Sequence, residues 1–183
     1  LAAGQQAFGE NYVQEALGKI EACRAADAPA PTWHFIGPIQ SNKTRPIAEH
    51  FDWVHSIDRE KIAARLGEQR PATLPPLQCC VQVNVSGEAS KSGCAPEEAI
   101  AVARAIVAQS RLRLRGVMAI PEPTDDQALQ RRRSAAAREA LTGIRQALAN
   151  DERASALDTL SMGMSADLEA AIAYYKDAFG AEV

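Results

Sequence analysis

Six short strand candidates, most of them apolar, are each followed by a segment with helical spacing, and this pattern constrains the fold of the chain more than any other feature. The strongest run, residues 77–85, is almost continuously apolar, as expected for a parallel strand that is covered on both faces. The other predicted strands span residues 5–8, 33–36, 53–57, 114–120 and 157–162. Repeated strand–helix units predict a parallel sheet with right-handed connections. This α/β pattern leaves two architectures open, a doubly wound sheet and most of a (β/α)8 barrel.

Capping residues predict where several of the intervening helices begin. An Asp, Ser, Thr or Asn just before an amphipathic segment can accept a hydrogen bond from the first backbone N–H groups of the helix. The predicted caps are Ser41 or Asn42 for the helix at 44–51, Asp58 for the next helix, and Ser165 for the last helix.

The composition indicates one globular domain and excludes some classes of function. Of the 183 residues, 46% are hydrophobic and 23% are charged, which is typical of a folded domain with its own core. The net charge of −3 argues against a general nucleic-acid-binding protein. We expect a monomer that has no nucleic-acid partner.

The cellular location is predicted from what the sequence lacks and from its cysteines. No apolar run approaches the ~20 residues that a membrane-spanning helix needs, and no signal peptide is recognisable. The four cysteines, Cys23, Cys79, Cys80 and Cys94, have no metal-binding spacing and are expected to be reduced thiols. These features predict a cytoplasmic protein without a membrane partner.

The loops after the predicted strands are the candidate ligand site, because the carboxyl ends of parallel strands meet at one face. Small and hydroxyl side chains dominate these loops and carboxylates are few, which argues against a paired-carboxylate hydrolase or a carboxylate metal site. Asn11 could contact a ligand or cap the first helix. His34 could be a hydrogen-bonded core histidine or an acid–base group.

Residues 161–165, Ser-Met-Gly-Met-Ser, could bind a phosphate. A glycine lets a ligand approach the backbone, two hydroxyls can donate, and free N–H groups at a helix start attract an anion. The alternative is that Ser165 simply caps the following helix. The loop at residues 86–93 lacks the GxxxxGK[ST] order of a P-loop and could be a lid or a ligand contact.

Five motifs together resemble the pyridoxal phosphate homeostasis family of the YggS/PROSC type. They lie at residues 8–15, 33–43, 83–93, 116–121 and 160–172, in the order that the family has them. The resemblance implies a single-domain (β/α)8 TIM-type barrel, related to the alanine racemase N-terminal barrel, that holds pyridoxal 5′-phosphate. It also implies a protein that buffers or delivers this cofactor in vitamin B6 homeostasis, without established catalytic turnover, and that serves apo forms of pyridoxal-phosphate enzymes.

Two other functions remain open beside the implied one. The first is a pyridoxal-phosphate-dependent amino-acid racemase, which needs a second acid–base group opposite the lysine that binds the cofactor. In the related enzymes a separate domain helps to supply that group, and 183 residues leave no room for such a domain. The second is a regulatory relative that binds no cofactor.

The resemblance assigns cofactor-binding residues to three places. Asn11, Ile36 and Gly37 match positions beside the cofactor ring, and Met118 would line the pocket. The phosphate cradle would include Ser161, Met162, Gly163 and Ser165. No catalytic residue and no metal ligand is assigned.

Two parts of the family pattern have no match in this sequence. The family's cofactor-binding lysine lies upstream of position 4, and its last strand, which carries an arginine, is replaced by the divergent residues 174–183. We therefore expect one barrel domain over residues 1–183 that is incomplete at both ends, with the first and last strands missing.

Overall fold

The computed structural model describes residues 4–26, 30–87 and 92–162, and the structural statements below concern these residues. The strands are β1 (Ala7–Glu10), β2 (Thr32–Phe35), β3 (Trp53–Ile57), β4 (Leu77–Gln82), β5 (Leu112–Met118) and β6 (Thr159–Ser161). The helices are α1 (Val13–Ala25), α2 (Thr44–His50), α3 (Glu60–Gln69), α4 (Ala99–Val107) and α5 (Gln127–Ala147). Short 3-10 turns lie at Ser41–Lys43, Pro96–Glu98 and Glu152–Ala154. In this part of the chain no helix is long and apolar enough to cross a membrane.

The six strands form one parallel sheet in which spatial order equals sequence order. A doubly wound sheet reverses its strand order near the middle, so that alternative is wrong. The sheet is also strongly curled, because the His55 side chain of β3 reaches the Ser161 side chain of β6. In a flat sheet, strands three places apart are separated by about 14 Å. The chain is therefore an α/β protein with a six-stranded, curled half-barrel.

The hydrophobic core lies between the sheet and a continuous layer of helices. Val54, Cys79 and Leu114 are register neighbours on three adjacent strands, and all three are fully buried. Phe35 and Phe51 meet edge to face, with ring centroids 5.3 Å apart. Helices α2, α3, α4 and α5 each contact the next along the layer. The apolar stripes of these helices thus cover one face of the sheet and leave the concave face for other chemistry.

Several predicted boundaries and caps are corrected by the structure. Strand β4 ends at Gln82, three residues before the predicted end, because Val83 forms an isolated bridge with Cys94 instead. The predicted caps of α2 and α3 are wrong, since no side chain caps either helix. The Asp58 carboxylate accepts a hydrogen bond from Arg59 at 2.6 Å instead. The last predicted helix and its cap, Ser165, lie outside the described residues.

All four cysteines are free thiols, as predicted. Burial raises the pKa of the Cys79, Cys80 and Cys94 thiols, so these side chains stay protonated and pack as small apolar groups.

Gly116 holds β5 and β6 in close contact, which generates a stability prediction. A Cβ at this position would overlap the carbonyl oxygen of Thr159, its register partner. We expect Gly116→Ala to lower the free energy of unfolding by about 3 kcal/mol, because backbone atoms cannot move aside cheaply. Urea denaturation measures the change. The matched control is Gly18→Ala in α1, where a Cβ would meet nothing within 4 Å. That substitution should instead stabilise the chain by about 0.5–1 kcal/mol. Equal stability of the two variants would contradict the strand contact.

Candidate functional site

The first group of predicted site residues lies at the carboxyl ends of β1 and β2. The backbone N–H of Ile36 donates to the Glu10 carbonyl oxygen at 3.0 Å, which extends the pairing of the two strands by one residue. A Cβ at Gly37 would overlap the backbone carbonyl of Asn11, so only glycine allows the two segments to pack this closely. Ser56 Oγ donates to the Gly37 carbonyl at 2.5 Å. Asn11, Ile36 and Gly37 are therefore brought together, as predicted.

Asn11 does not cap the first helix. The N-cap of α1 is Tyr12, and no side chain forms a capping hydrogen bond there. The Asn11 side chain is exposed, and its backbone carbonyl lies against Gly37. Of the two interpretations of Asn11, the capping one is wrong, and a ligand contact stays a prediction.

The second group of predicted site residues lies at the carboxyl ends of β5 and β6. Met118 and Ser161 are register partners, so their side chains stand next to each other on one face of the sheet. Met118 is only 3% exposed, and Ser161 is half-buried. Met162 is partly buried and packs against the hydrophobic core. Gly163 and Ser165 lie outside the described residues.

A chain of hydrogen-bonded side chains crosses the concave face from β2 to Ser161 of the second group. His34 Nδ1 in β2 lies 2.9 Å from His55 Nε2 in β3. His55 Nδ1 lies 2.9 Å from the hydroxyl oxygen of Ser161 in β6. Both ring nitrogens of His55 are thus occupied, and Ser161 Oγ is held in place at the strand end. His34 is hydrogen-bonded, as the first interpretation predicted, but it is half-buried on the concave face and does not belong to the hydrophobic core.

Trp53 and Arg115 support this chain on the same concave face. The Trp53 ring stacks on His34, with centroids 5.3 Å apart and planes 11° from parallel. The Arg115 guanidinium lies 4.6 Å from the Trp53 ring centroid and forms an ion pair with Asp158 at 2.6 Å. The cation is therefore balanced by a carboxylate, and the indole fixes the imidazole plane of His34.

Burial keeps both imidazoles neutral. Burial and the neighbouring His34 together lower the pKa of His55 to about 4, from an ordinary 6.5. Burial also lowers the pKa of His34, and the carboxylate of Asp52 partly opposes this change. At neutral pH the chain His34–His55–Ser161 is therefore an uncharged, hydrogen-bonded network.

His55 is the site residue that sequence reasoning missed. The available signal was a polar, titratable residue inside a predicted strand, two positions after a tryptophan. Its hydrogen-bond partner, Ser161, is 106 residues away in sequence. The two residues meet only because the sheet is curved. Within residues 4–26, 30–87 and 92–162, no cluster of three His, Cys, Asp or Glu side chains could hold a metal ion.

A separate cavity of about 170 Å³ lies at the opposite edge of the sheet, where β2 and β3 begin. Trp33, His50 and Asp52 are among its lining residues. Ligand sites in folds of this kind occur at the carboxyl ends of the strands. We therefore assign the candidate site to the edge that carries Gly37 and Ser161.

Comparison with known proteins identifies the family. The model of the alanine racemase N-terminal domain matches residues 1–179. The pyridoxal phosphate homeostasis protein of Pseudomonas aeruginosa is 64% identical over 171 residues, which are 93% of this chain and 69% of that protein. The chain belongs to the pyridoxal phosphate homeostasis protein family. The Escherichia coli K12 member is 50% identical over 171 residues, 93% of this chain and 70% of that protein.

Solved structures agree with this family. PipY of Synechococcus elongatus with PLP bound is 34% identical, with a TM-score of 0.80 over 94% of this chain and 77% of that chain. The structure of PipY without PLP is 35% identical, with a TM-score of 0.82 over 94% of this chain and 78% of that chain. The alanine racemase of Corynebacterium glutamicum is 16% identical, with a TM-score of 0.65 over 95% of this chain and 45% of that chain. That last likeness shows the fold alone.

The buried histidines generate a pH prediction. Between the ordinary pKa of 6.5 and the folded value of about 4, the unfolded chain binds a proton at His55 that the folded chain excludes. The free energy of unfolding therefore falls as the pH is lowered through this range, by about 2 kcal/mol between about pH 7 and about pH 5. His34 acts in the same direction.

Urea denaturation at the two pH values measures this change. The carboxylates with lowered pKa, such as Asp158, lose their stabilising contribution only below the ordinary value of 3.8 and do not interfere. The control is His55→Gln, which removes the titrating group and should flatten most of the dependence. If the free energy of unfolding of this variant fell with pH as steeply as that of the native protein, His55 would not be the source of the pH dependence.

Proposed function

We propose that this chain binds pyridoxal 5′-phosphate and buffers or delivers it, as a carrier in vitamin B6 homeostasis without catalytic turnover of its own. The observation that carries the proposal is the likeness to PipY, a protein solved with PLP bound, at 34% identity over 94% of this chain. The names of the curated relatives support the homeostasis role.

We further propose that the half-barrel is part of a closed (β/α)8 TIM-type barrel and that residues 1–183 belong to one domain. Two features support this architecture. The strands run in sequence order without reversal, and the sheet is curled enough for β3 and β6 side chains to touch. Closing the barrel would also pair β1 and β6 on their outer edges, where the described residues supply no strand.

The side chains at the carboxyl edge fit the parts of pyridoxal 5′-phosphate. The Ser161 hydroxyl can donate to a phosphate oxygen, and its described hydrogen-bond partner is a neutral imidazole rather than a carboxylate. Met118, beside Ser161, offers an apolar wall for a ring. The close packing of Gly37 on Asn11 leaves backbone and a short amide at the opposite side of the concave face.

The proposed cofactor-binding residues are therefore Asn11, Ile36, Gly37 and Met118, with Ser161, Met162, Gly163 and Ser165 at the phosphate. The bound cofactor would supply a reactive aldehyde and an electron-withdrawing ring, which no side chain of the protein offers. The protein's own part is to bind the phosphate, orient the ring and hold the hydroxyl of Ser161 in a fixed place.

A carrier role fits the state of the two histidines better than a racemase role does. A racemase requires a second group that exchanges a proton with the substrate. Both ring nitrogens of His55 are occupied by His34 and Ser161, and its pKa of about 4 makes it a weak base. The match to the alanine racemase domain keeps racemisation as the rival function.

The remaining parts of the proposal concern partners and location. We propose apo pyridoxal-phosphate enzymes as recipients of the cofactor, a monomeric state and a cytoplasmic location. The free thiols of Cys23, Cys79, Cys80 and Cys94 support a reducing compartment.

Substituting the proposed phosphate-binding serine tests the carrier function. Ser161→Ala should raise the dissociation constant for pyridoxal 5′-phosphate about tenfold, because a hydrogen bond to a charged group is lost. The affinity for pyridoxal, which has no phosphate, should stay unchanged. Absorbance titration of the purified protein measures both constants.

Two controls make this result specific. Ser155→Ala changes an exposed serine at the end of a 3-10 turn and should alter neither constant. Intact mass after borohydride reduction shows whether the cofactor is held covalently. Native protein that fails to bind the cofactor would refute the carrier proposal. Loss of optical rotation from an L-amino acid, catalysed by the loaded protein, would favour the racemase.

A further inference from the structure

The hydrogen-bonded chain His34–His55–Ser161 has only two neutral arrangements of its hydrogens. Each neutral imidazole has one N–H donor and one acceptor nitrogen. His34 Nδ1 and His55 Nε2 face each other at 2.9 Å, so one of them donates and the other accepts. The choice made there decides whether His55 Nδ1 donates to Ser161 Oγ or accepts from it.

In the first arrangement, His34 Nδ1–H donates to His55 Nε2, and His55 Nδ1–H donates to Ser161 Oγ. The hydroxyl hydrogen of Ser161 then points away from His55 and is available to a ligand. In the second arrangement every bond is reversed, and Ser161 gives its hydrogen to His55. Only lone pairs of Ser161 then face a ligand, and these repel an anion.

We propose that the imidazole pair His34–His55 is a positioning device that turns the Ser161 hydroxyl into a hydrogen-bond donor toward the phosphate group of a bound ligand. In the ligand-bound state His55 carries its hydrogen on Nδ1 and accepts at Nε2. The inference rests on the proposed function, since it assumes that Ser161 belongs to the phosphate site. His55 is a positioning residue and does not touch the ligand itself.

The physical setting favours this coupling. The two arrangements contain the same number of hydrogen bonds, so their free energies are similar in the unliganded protein. An anion at Ser161 then selects the first arrangement. Hydrogen bonds in series polarise one another, which strengthens the donor at the end of the chain. By linkage, the factor by which the first arrangement binds phosphate more tightly than the second is also the factor by which bound phosphate shifts the equilibrium toward the first.

The neighbouring charged groups leave the chain neutral. Asp52 is the carboxylate that acts on His34, and it accepts the backbone N–H of Trp33 at 2.8 Å. Arg115, which lies on the Trp53 ring, is held by Asp158. His55 is 8% exposed, so solvent has little access to its ring. The ligand is therefore the group that determines in which direction the hydrogen bonds from His34 to Ser161 are donated.

The device would distinguish phosphorylated from unphosphorylated ligands. A phosphate oxygen is a charged acceptor and gains from a polarised O–H donor. An unphosphorylated vitamer such as pyridoxal brings no anion and does not select the first arrangement. The chain of imidazoles is thus a specificity determinant for the phosphate ester.

The direct test is the tautomer of His55 in the native protein. Long-range ¹H–¹⁵N correlation spectra of ¹⁵N-labelled protein show which ring nitrogen carries hydrogen. We expect His55 to be the Nδ1–H tautomer when pyridoxal 5′-phosphate, or inorganic phosphate as the simpler probe, saturates the site. Hydrogen on Nε2 of His55 in the bound state would overturn the inference while the carrier function stands.

Two substitutions separate the two bonds of His55. The amide nitrogen of an asparagine can take roughly the place of Nδ1, and that of a glutamine roughly the place of Nε2. His55→Asn should keep the donor to Ser161 and leave the dissociation constant for pyridoxal 5′-phosphate within about threefold of native. His55→Gln should lose that donor and weaken binding about tenfold. Pyridoxal binding should be unchanged in both.

The outcomes distinguish this inference from the proposed function. If the native protein binds neither pyridoxal 5′-phosphate nor inorganic phosphate, both are refuted. If it binds the cofactor and the asparagine variant loses as much affinity as the glutamine variant, only the positioning role is refuted. The spectra of the native protein need no substitution, so poor folding of a variant cannot decide the result.

Discussion

The curvature of the parallel sheet is the constraint on which the candidate site depends. Adjacent parallel strands place side chains about 5 Å apart, so a flat sheet would keep β3 and β6 far beyond hydrogen-bond distance. The curl brings His55 of β3 to 2.9 Å from Ser161 of β6. Close backbone contact at Gly116 allows β5 and β6 to approach, and Gly37 does the same between the segments that follow β1 and β2. The glycines at these backbone contacts and the curvature of the sheet together bring the site residues close to one another.

The concave face combines polar groups with burial, and hydrogen bonding makes this possible. An imidazole taken out of water without partners destabilises the folded state by a few kcal/mol. Here His55 has partners at both nitrogens, and His34 packs against both His55 and the Trp53 ring. The guanidinium of Arg115 is matched by Asp158 and by the Gln78 amide at 2.9 Å. Hydrogen bonding of this kind fixes the positions of the side chains on the concave face, whichever way the hydrogens of the His34–His55–Ser161 chain are arranged.

Sequence reasoning was most successful for the strands and helices and for the family. The apolar runs and helical spacings predicted all six strands, and β3 was predicted to the residue. The choice between two sheet architectures could not be made from pattern alone, because strand order depends on long-range packing rather than on local spacing. The resemblance favoured the barrel, and the observed strand order agrees with that choice.

The candidate site was predictable only in part. The rule that parallel strands present their carboxyl ends together indicated the edge of the sheet, and the family resemblance selected Ile36, Gly37, Met118 and Ser161 there. The role of His55 did not follow, because nothing local in Trp53–Ile57 indicates a partner in β6. The failed caps at Ser41, Asn42 and Asp58 have a different cause: a side chain that can cap a helix is still free to bond elsewhere, as Asp58 does with Arg59.

The sheet order has a consequence for how the chain folds. Every strand pairs with the next one in sequence, so the sheet can grow one unit at a time by closing short loops. The contact between His55 and Ser161 is different, because it joins residues 106 positions apart. It can form only after β4, β5 and β6 have been added in turn. The position of the hydroxyl that we assign to the phosphate site therefore depends on β3 and on β6 together, and a ligand that binds there recognises only chains in which β6 has joined the sheet.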